Sequence, residues 1–82
     1  MPRYFFDLID DSIAQPDREG TVLPDAKAAR DEASEALLGI ARDHMPADGP
    51  NRTMSVAVRD EDGAQILLVS LSYTEEPPDW SA

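Results

Sequence analysis

The sequence predicts an α+β fold: a two-layer sandwich in the order β-β-α-β-β, with one helix, about Asp25 to His44, on one face of an antiparallel sheet. Three observations predict it. One stretch, DAKAARDEASEALLGIARDHM, repeats apolar residues every three or four positions. The segments before and after it alternate apolar and polar residues instead. Clusters of Asp, Gly, Pro and Ser separate those segments.

In the helical stretch, Ala26, Ala29, Ala33, Ala36, Leu37, Ile40, Ala41 and His44 fall on one stripe. Lys27, Asp31, Glu32, Glu35, Arg42 and Asp43 form the solvated side. Pro24-Asp25 is a start signal, because the Asp carboxylate accepts orphan amide protons of the first turn and proline is tolerated there. Pro46 and the turn cluster Asp48-Gly49-Pro50 stop the helix near His44. Small alanines let the axis approach the sheet, and Leu37 and Ile40 fill the wider end of the gap. Gly39 lies off the packing line, and Leu38 is either edge packing or part of a second contact.

The first strand is Met1 to Ile9, with Tyr4, Phe6 and Leu8 towards the helix and Arg3, Phe5, Asp7 and Ile9 away from it. Asp10-Asp11-Ser12 turns the chain into a short returning strand, Ile13-Ala14-Gln15. Pro16-Asp17 bends it again, and Gly20 releases an extended piece, Thr21-Val22-Leu23, unless the whole segment is one lightly structured hairpin arm. After a loop from Pro46 to Arg52, Thr53 to Arg59 puts Met54, Val56 and Val58 on one face. Asp60-Glu61-Asp62-Gly63 is a hairpin turn in which glycine supplies a positive φ. Gln65 to Tyr73 is the strongest strand, apolar on both faces, a pattern that predicts a central or doubly covered position. Residues 1–73 form one domain, and 74–82, TEEPPDWSA, read as an acidic, proline-containing tail.

At 82 residues the chain holds one thin core, and a 41% hydrophobic content suffices for two layers and not three. Absence of cysteine excludes disulfides, thiolate metal sites and thiol catalysis. The first strand leaves no room for a signal peptide and no apolar run approaches a membrane span, so the expected location is the cytoplasm. The net charge is −10, and with the three acids of the tail set aside 14 acids still face 7 bases. Such a field repels phosphate backbones and anionic membrane surfaces, so neither nucleic acid, by a basic patch, nor membrane is an expected partner. A partner attracted by charge is a basic protein.

Motifs for chemistry are thin. Asp60-Glu61-Asp62-Gly63 resembles the centre of a calcium loop, but the first and closing ligand positions fall on Val58 and Val69. Asp7, Asp10 and Asp11 lie near one strand end and could gather around a hard cation, but without further ligands a solvated turn explains them better. His44 suits a helix C-terminus, no nucleophile turn surrounds any serine, and the glycines are too scattered to cradle phosphate. Asn51-Arg52-Thr53 matches the glycosylation pattern, without the secretion signal that would give it meaning. Neither cofactor nor metal is expected. Trp80 is either an anchor for a partner or a side chain that folds back on its own domain.

The ordered set YFFDL, a glycine and LPD, AARDEA, VAVRDEDG and LLVSLS resembles a family of short uncharacterised bacterial proteins classified only as a domain of unknown function. The resemblance spans Arg3 to about Ser72 and implies no activity, ligand or catalytic residue. Where members of that family place a glycine in the first turn, this chain has Asp10-Asp11-Ser12. A looser, fold-level similarity is to small antitoxin domains of the HicB type, which would suit an acidic dimer masking a basic toxin.

The function expected is therefore a non-enzymatic interaction or regulatory module, acting as a homodimer and binding another protein. Its interaction surface is expected at Phe5, Ile9, Ala57, Ile66 and Leu68 on the helix-free face, with Trp80 in the tail. The homodimer would form by packing of that face or by edge pairing. The alternative is a small enzyme or ligand-binding protein using Asp7, Asp10, His44 or Arg59 at a sheet edge or dimer seam.

Overall fold

A computed structural model describes residues 1–11, 13–44 and 51–76, the side chain of His44 excepted. Within them the chain runs β1 (Arg3–Asp10), β2 (Ile13–Gln15), β3 (Thr21–Val22), α1 (Ala26–His44), β4 (Asn51–Arg59) and β5 (Gln65–Thr74). It is an α+β fold with one helix and an antiparallel sheet of five strands. The extended piece at Thr21-Val22 is the fifth strand, paired with Arg3 and Tyr4. β5 continues to Thr74, one residue into the stretch read as tail.

Sheet order is β2-β1-β4-β5, with β3 also on β1. The crossover through α1 brings β4 beside β1, pairing Phe5 with Arg59 and Asp10 with Met54. The following hairpin can then add β5 only on the outer side of β4. This overturns one sequence expectation: β5, apolar on both faces, is an edge strand, and β4 holds the centre. β4 is apolar enough for that place, with Met54, Val56, Ala57 and Val58 all buried.

The helix starts where Pro24-Asp25 placed it, as Asp25 Oδ1 accepts the Ala28 amide at 2.9 Å. It lies across β4 and β5, and Ala29, Ala33, Leu37 and Ala41, spaced four apart, form its buried line. Ala26 and Ala36, assigned to the stripe from sequence, are exposed, because a line of four-residue steps drifts around the helix and leaves them at its margin. Leu38 is exposed as well. The core joins Tyr4, Ala29, Ala33, Leu37, Met54, Val56 and Val58, with Phe6, Leu8, Leu67 and Val69 packed around it. Complete burial of a Met54 or Val58 side chain contributes about 1.5–3 kcal/mol each.

The β4–β5 turn closes through the Asp60 amide on Ala64 O at 2.9 Å and the Gly63 amide on Asp60 O at 3.0 Å, with Gly63 at φ +85°. Asp60 Oδ1 accepts the amides of Asp62 and Ala64, so the acid read as a turn residue shapes this hairpin. In the β1–β2 turn Asp11 has φ +47°, the left-handed region a glycine enters freely and Asp tolerates better than most residues. That accounts for an Asp where the family resemblance leads one to expect glycine. Ser12, the turn at Asp48-Gly49-Pro50 and Trp80 lie outside the described residues.

Candidate functional site

Two surfaces of the sheet carry the polar and apolar groups singled out above. They lie at opposite edges, and their construction differs.

The first edge is the outer side of β1. Rungs Leu8–Gln15 and Tyr4–Thr21 are four residues apart on β1 but six apart on the returning chain, so the return carries two additional residues. That excess throws Pro16 to Gly20 outward, and Asp17 organises it. Asp17 Oδ1 accepts the amides of Glu19 and Gly20 at 3.1 Å each, and Oδ2 accepts the Phe6 amide at 3.1 Å. Its own amide donates to Asp7 Oδ1 at 2.9 Å. Gly20 has φ +71°, and a Cβ there would lie 2.8 Å from Tyr4 O and 2.9 Å from Phe5 Cε2, so only glycine fits.

Arg59 fastens this loop to the sheet. Its Nε and Nη2 donate to Asp7 at 2.7 and 3.1 Å, Nη2 also reaches Asp17 O at 3.1 Å, and the guanidinium lies 5.0 Å over the Phe5 ring. The Asp7 carboxyl is held below the usual range by the Arg59 hydrogen bond, which outweighs burial. Asp17 is also lowered: burial pushes it up, but the amides of Gly20, Phe6 and Glu19 together prevail. Arg59 is raised by Asp7.

A second cluster closes the other end of β1, where Arg52 Nε is 2.9 Å from Asp10 and 2.7 Å from Asp11. The three acids considered for a cation are thus divided between two arginines. Of the residues assigned to an enzyme site, Asp7 and Arg59 meet in an ion pair, while Asp10 pairs elsewhere.

The second edge is the outer side of β5. From Gln65 to Thr74 it contains no charged residue and no proline, and among the described residues it pairs only with β4. Ile66 is the additional residue of a bulge between rungs Val58–Leu67 and Arg59–Gln65. On the helix-free face, Leu68 is 50% exposed and Ile66 43%, beside Ala57 at 4%. Phe5 and Ile9, also half-buried on that face, lie on β1 to either side of Asp7, across β4 from Leu68. The expected apolar patch is therefore divided: Phe5 sits under Arg59, and Ile66 and Leu68 border the β5 edge. Further along, Ser55–Ser70 and Thr53–Ser72 hydroxyl pairs at 2.9 and 3.3 Å make the face polar.

In the sequence alone Asp17 reads only as a bend. The available signal was Asp17-Arg18-Glu19-Gly20, an Asp followed three residues later by glycine, the pattern of a side chain capping its own turn. Alternation gave the faces of β5 but not its neighbours.

A model of one family matches residues 3–72, nearly all of the described fold. The chain belongs to DUF6894, a domain of unknown function. No curated protein and no solved structure matches it. The DUF6894 match spans both edges, from the Arg3–Val22 rung to Ser72 of β5. No helix is long and apolar enough to cross a membrane among the described residues.

Proposed function

We propose that this DUF6894 protein is a non-enzymatic interaction module that binds another protein chain by strand addition along β5. One contrast carries the proposal. The β1 edge is blunted by short strands, a proline, an outward loop and charged side chains, the devices that stop sheets from pairing edge to edge. Among the described residues the bulge at Ile66 is the sole such device on β5, and Leu67 to Thr74 presents eight residues of edge that none of them covers. Exposed Leu68 and Ile66 beside that edge offer apolar contact to alternate side chains of an added strand.

Self-association by the same edge is the weaker use of it. A two-fold antiparallel β5–β5 pair sets Asp60, Glu61 and Asp62 of one copy near Glu75 and Glu76 of the other, and each copy carries −10. Homodimers held this way should be weak at low salt.

The test is co-purification from the native host, with hydrogen exchange measured on the free and complexed protein. A stoichiometric partner should slow exchange of β5 amides first. A complex that leaves β5 unchanged, or no stoichiometric partner at all, overturns the proposal.

A further inference from the structure

We infer that the strand added to β5 has an uncharged centre flanked by lysine or arginine at both ends; this rests on the strand-addition proposal above and names the partner's chemistry.

The argument is one of charge placed along a line. Strand β5 is free of charge throughout its length. Immediately before it stand Asp60, Glu61 and Asp62 in the hairpin turn, and immediately after it Glu75 and Glu76. Asp60 is occupied by the turn, since Oδ1 accepts two amides, and Glu61 takes the Arg3 amide of β1 at 2.9 Å, so Asp62 is the acid of this turn with the carboxylate left for the β5 side. Glu75 accepts the Tyr73 hydroxyl at 2.6 Å. These carboxylates are exposed or half-exposed, with no arginine or lysine paired to them by a salt bridge among the described residues. The acids that do meet arginines lie elsewhere, Asp7, Asp10 and Asp11 towards β1 and Asp31 on α1.

Ten residues of strand span roughly 33 Å, three Debye lengths at about 0.1 M salt, so the acidic ends act as two separate sites. An added strand of about ten residues reaches both. Uncharged residues then lie against Leu68 and the β5 backbone, where a charge would meet no counterpart, and basic residues lie against the acids. A second copy of this chain has the opposite pattern at its ends, acid on acid. The observations therefore favour a different, basic-flanked protein over a homodimer at this edge.

Two synthetic peptides test it, each of alternating threonine and valine, one with two lysines at each end and the other with two glutamates. Binding to the full-length protein is followed by fluorescence anisotropy and by amide NMR shifts. The lysine peptide should shift β5 amides and bind at least about tenfold more tightly than the glutamate peptide, with the advantage shrinking as salt rises. Replacing Glu61→Gln, Asp62→Asn, Glu75→Gln and Glu76→Gln together should abolish the preference while β5 amides still respond. Equal binding of both peptides by the native protein overturns the charge inference and leaves strand addition standing. If neither shifts β5, strand addition falls as well. At low salt, where the like-charged ends of two copies repel, shifts at β5 that depend on protein concentration alone would identify the occupant as a second copy, against the inference.

Discussion

Arg59 Nε donates to Asp7 Oδ2 at 2.7 Å from the neighbouring central strand, and through this pair the Asp17 loop is fixed to the sheet. The three residues come from β1, the β2–β3 connection and β4, so a local fault in one should be felt by the others. We expect Asp7→Asn and Arg59→Gln each to lower the urea midpoint. The double variant should lose clearly less than the two single losses together, because each single change strands the partner. Simple additivity in the urea cycle would mean the pair is not coupled. Arg59→Lys should not rescue, since an ammonium cannot make the two-pronged bond and stack on Phe5 together.

The same carboxylates set an acid limit. Asp7 and Asp17 both titrate lower in the fold than in the open chain, whose aspartates titrate near 3.8. The folded state therefore binds fewer protons in the interval below that value, and stability falls as pH falls through it. Their contribution is complete above about pH 5 and disappears once the folded groups protonate. Urea midpoints taken from pH 6 to pH 2.5 should drop below pH 4, and the drop should be shallower in Asp7→Asn and in Asp17→Asn. An unchanged slope in both variants would show that other acids govern acid unfolding.

Two glycines separate backbone necessity from backbone cost. Gly20 combines a positive φ with a Cβ position already filled by Tyr4 O, so Gly20→Ala should destabilise by about 1–3 kcal/mol. Gly39 lies in α1, where an added Cβ meets nothing within 4 Å, so Gly39→Ala should stabilise by about 0.5–1 kcal/mol. Thermal melts of the two variants should move in opposite directions. A stabilised Gly20→Ala would mean the loop relaxes around the methyl group.

Much of this architecture is legible without coordinates, for a physical reason. Asp25, Pro46 and the apolar spacing between them are local signals, and they located α1 to within a residue or so. Asp60-Glu61-Asp62-Gly63 likewise carries its own turn. What sequence withheld was relative position. Nothing local to Gln65–Thr74 says that β1 takes the far side of β4, so an apolar strand at the edge resembled one at the centre. The site suffered similarly: Phe5, Ile9 and Leu68 were placed on the correct side of the sheet, but that Asp7 and Arg59 lie between them depends on the β1–β4 register. Thr21-Val22 was too short to carry an alternation, and only pairing with Arg3 and Tyr4 identifies it as strand.

Edge exposure and negative charge oppose each other in self-association, and salt decides between them. Two copies meeting along β5 gain backbone hydrogen bonds and apolar contact at Leu68, while their like-charged ends repel. Raising sodium chloride from about 20 to 500 mM shortens the screening length from about 20 Å to about 4 Å, weakening repulsion but not the short-range bonds. Sedimentation equilibrium should therefore show monomer at low salt and a growing dimer fraction at high salt. Glu75→Gln with Glu76→Gln should shift that rise to lower salt, and Leu68→Glu should suppress it by adding a charge to the edge itself. A dimer that dissolves as salt rises would be held by complementary charge, and its interface would have to be sought away from β5.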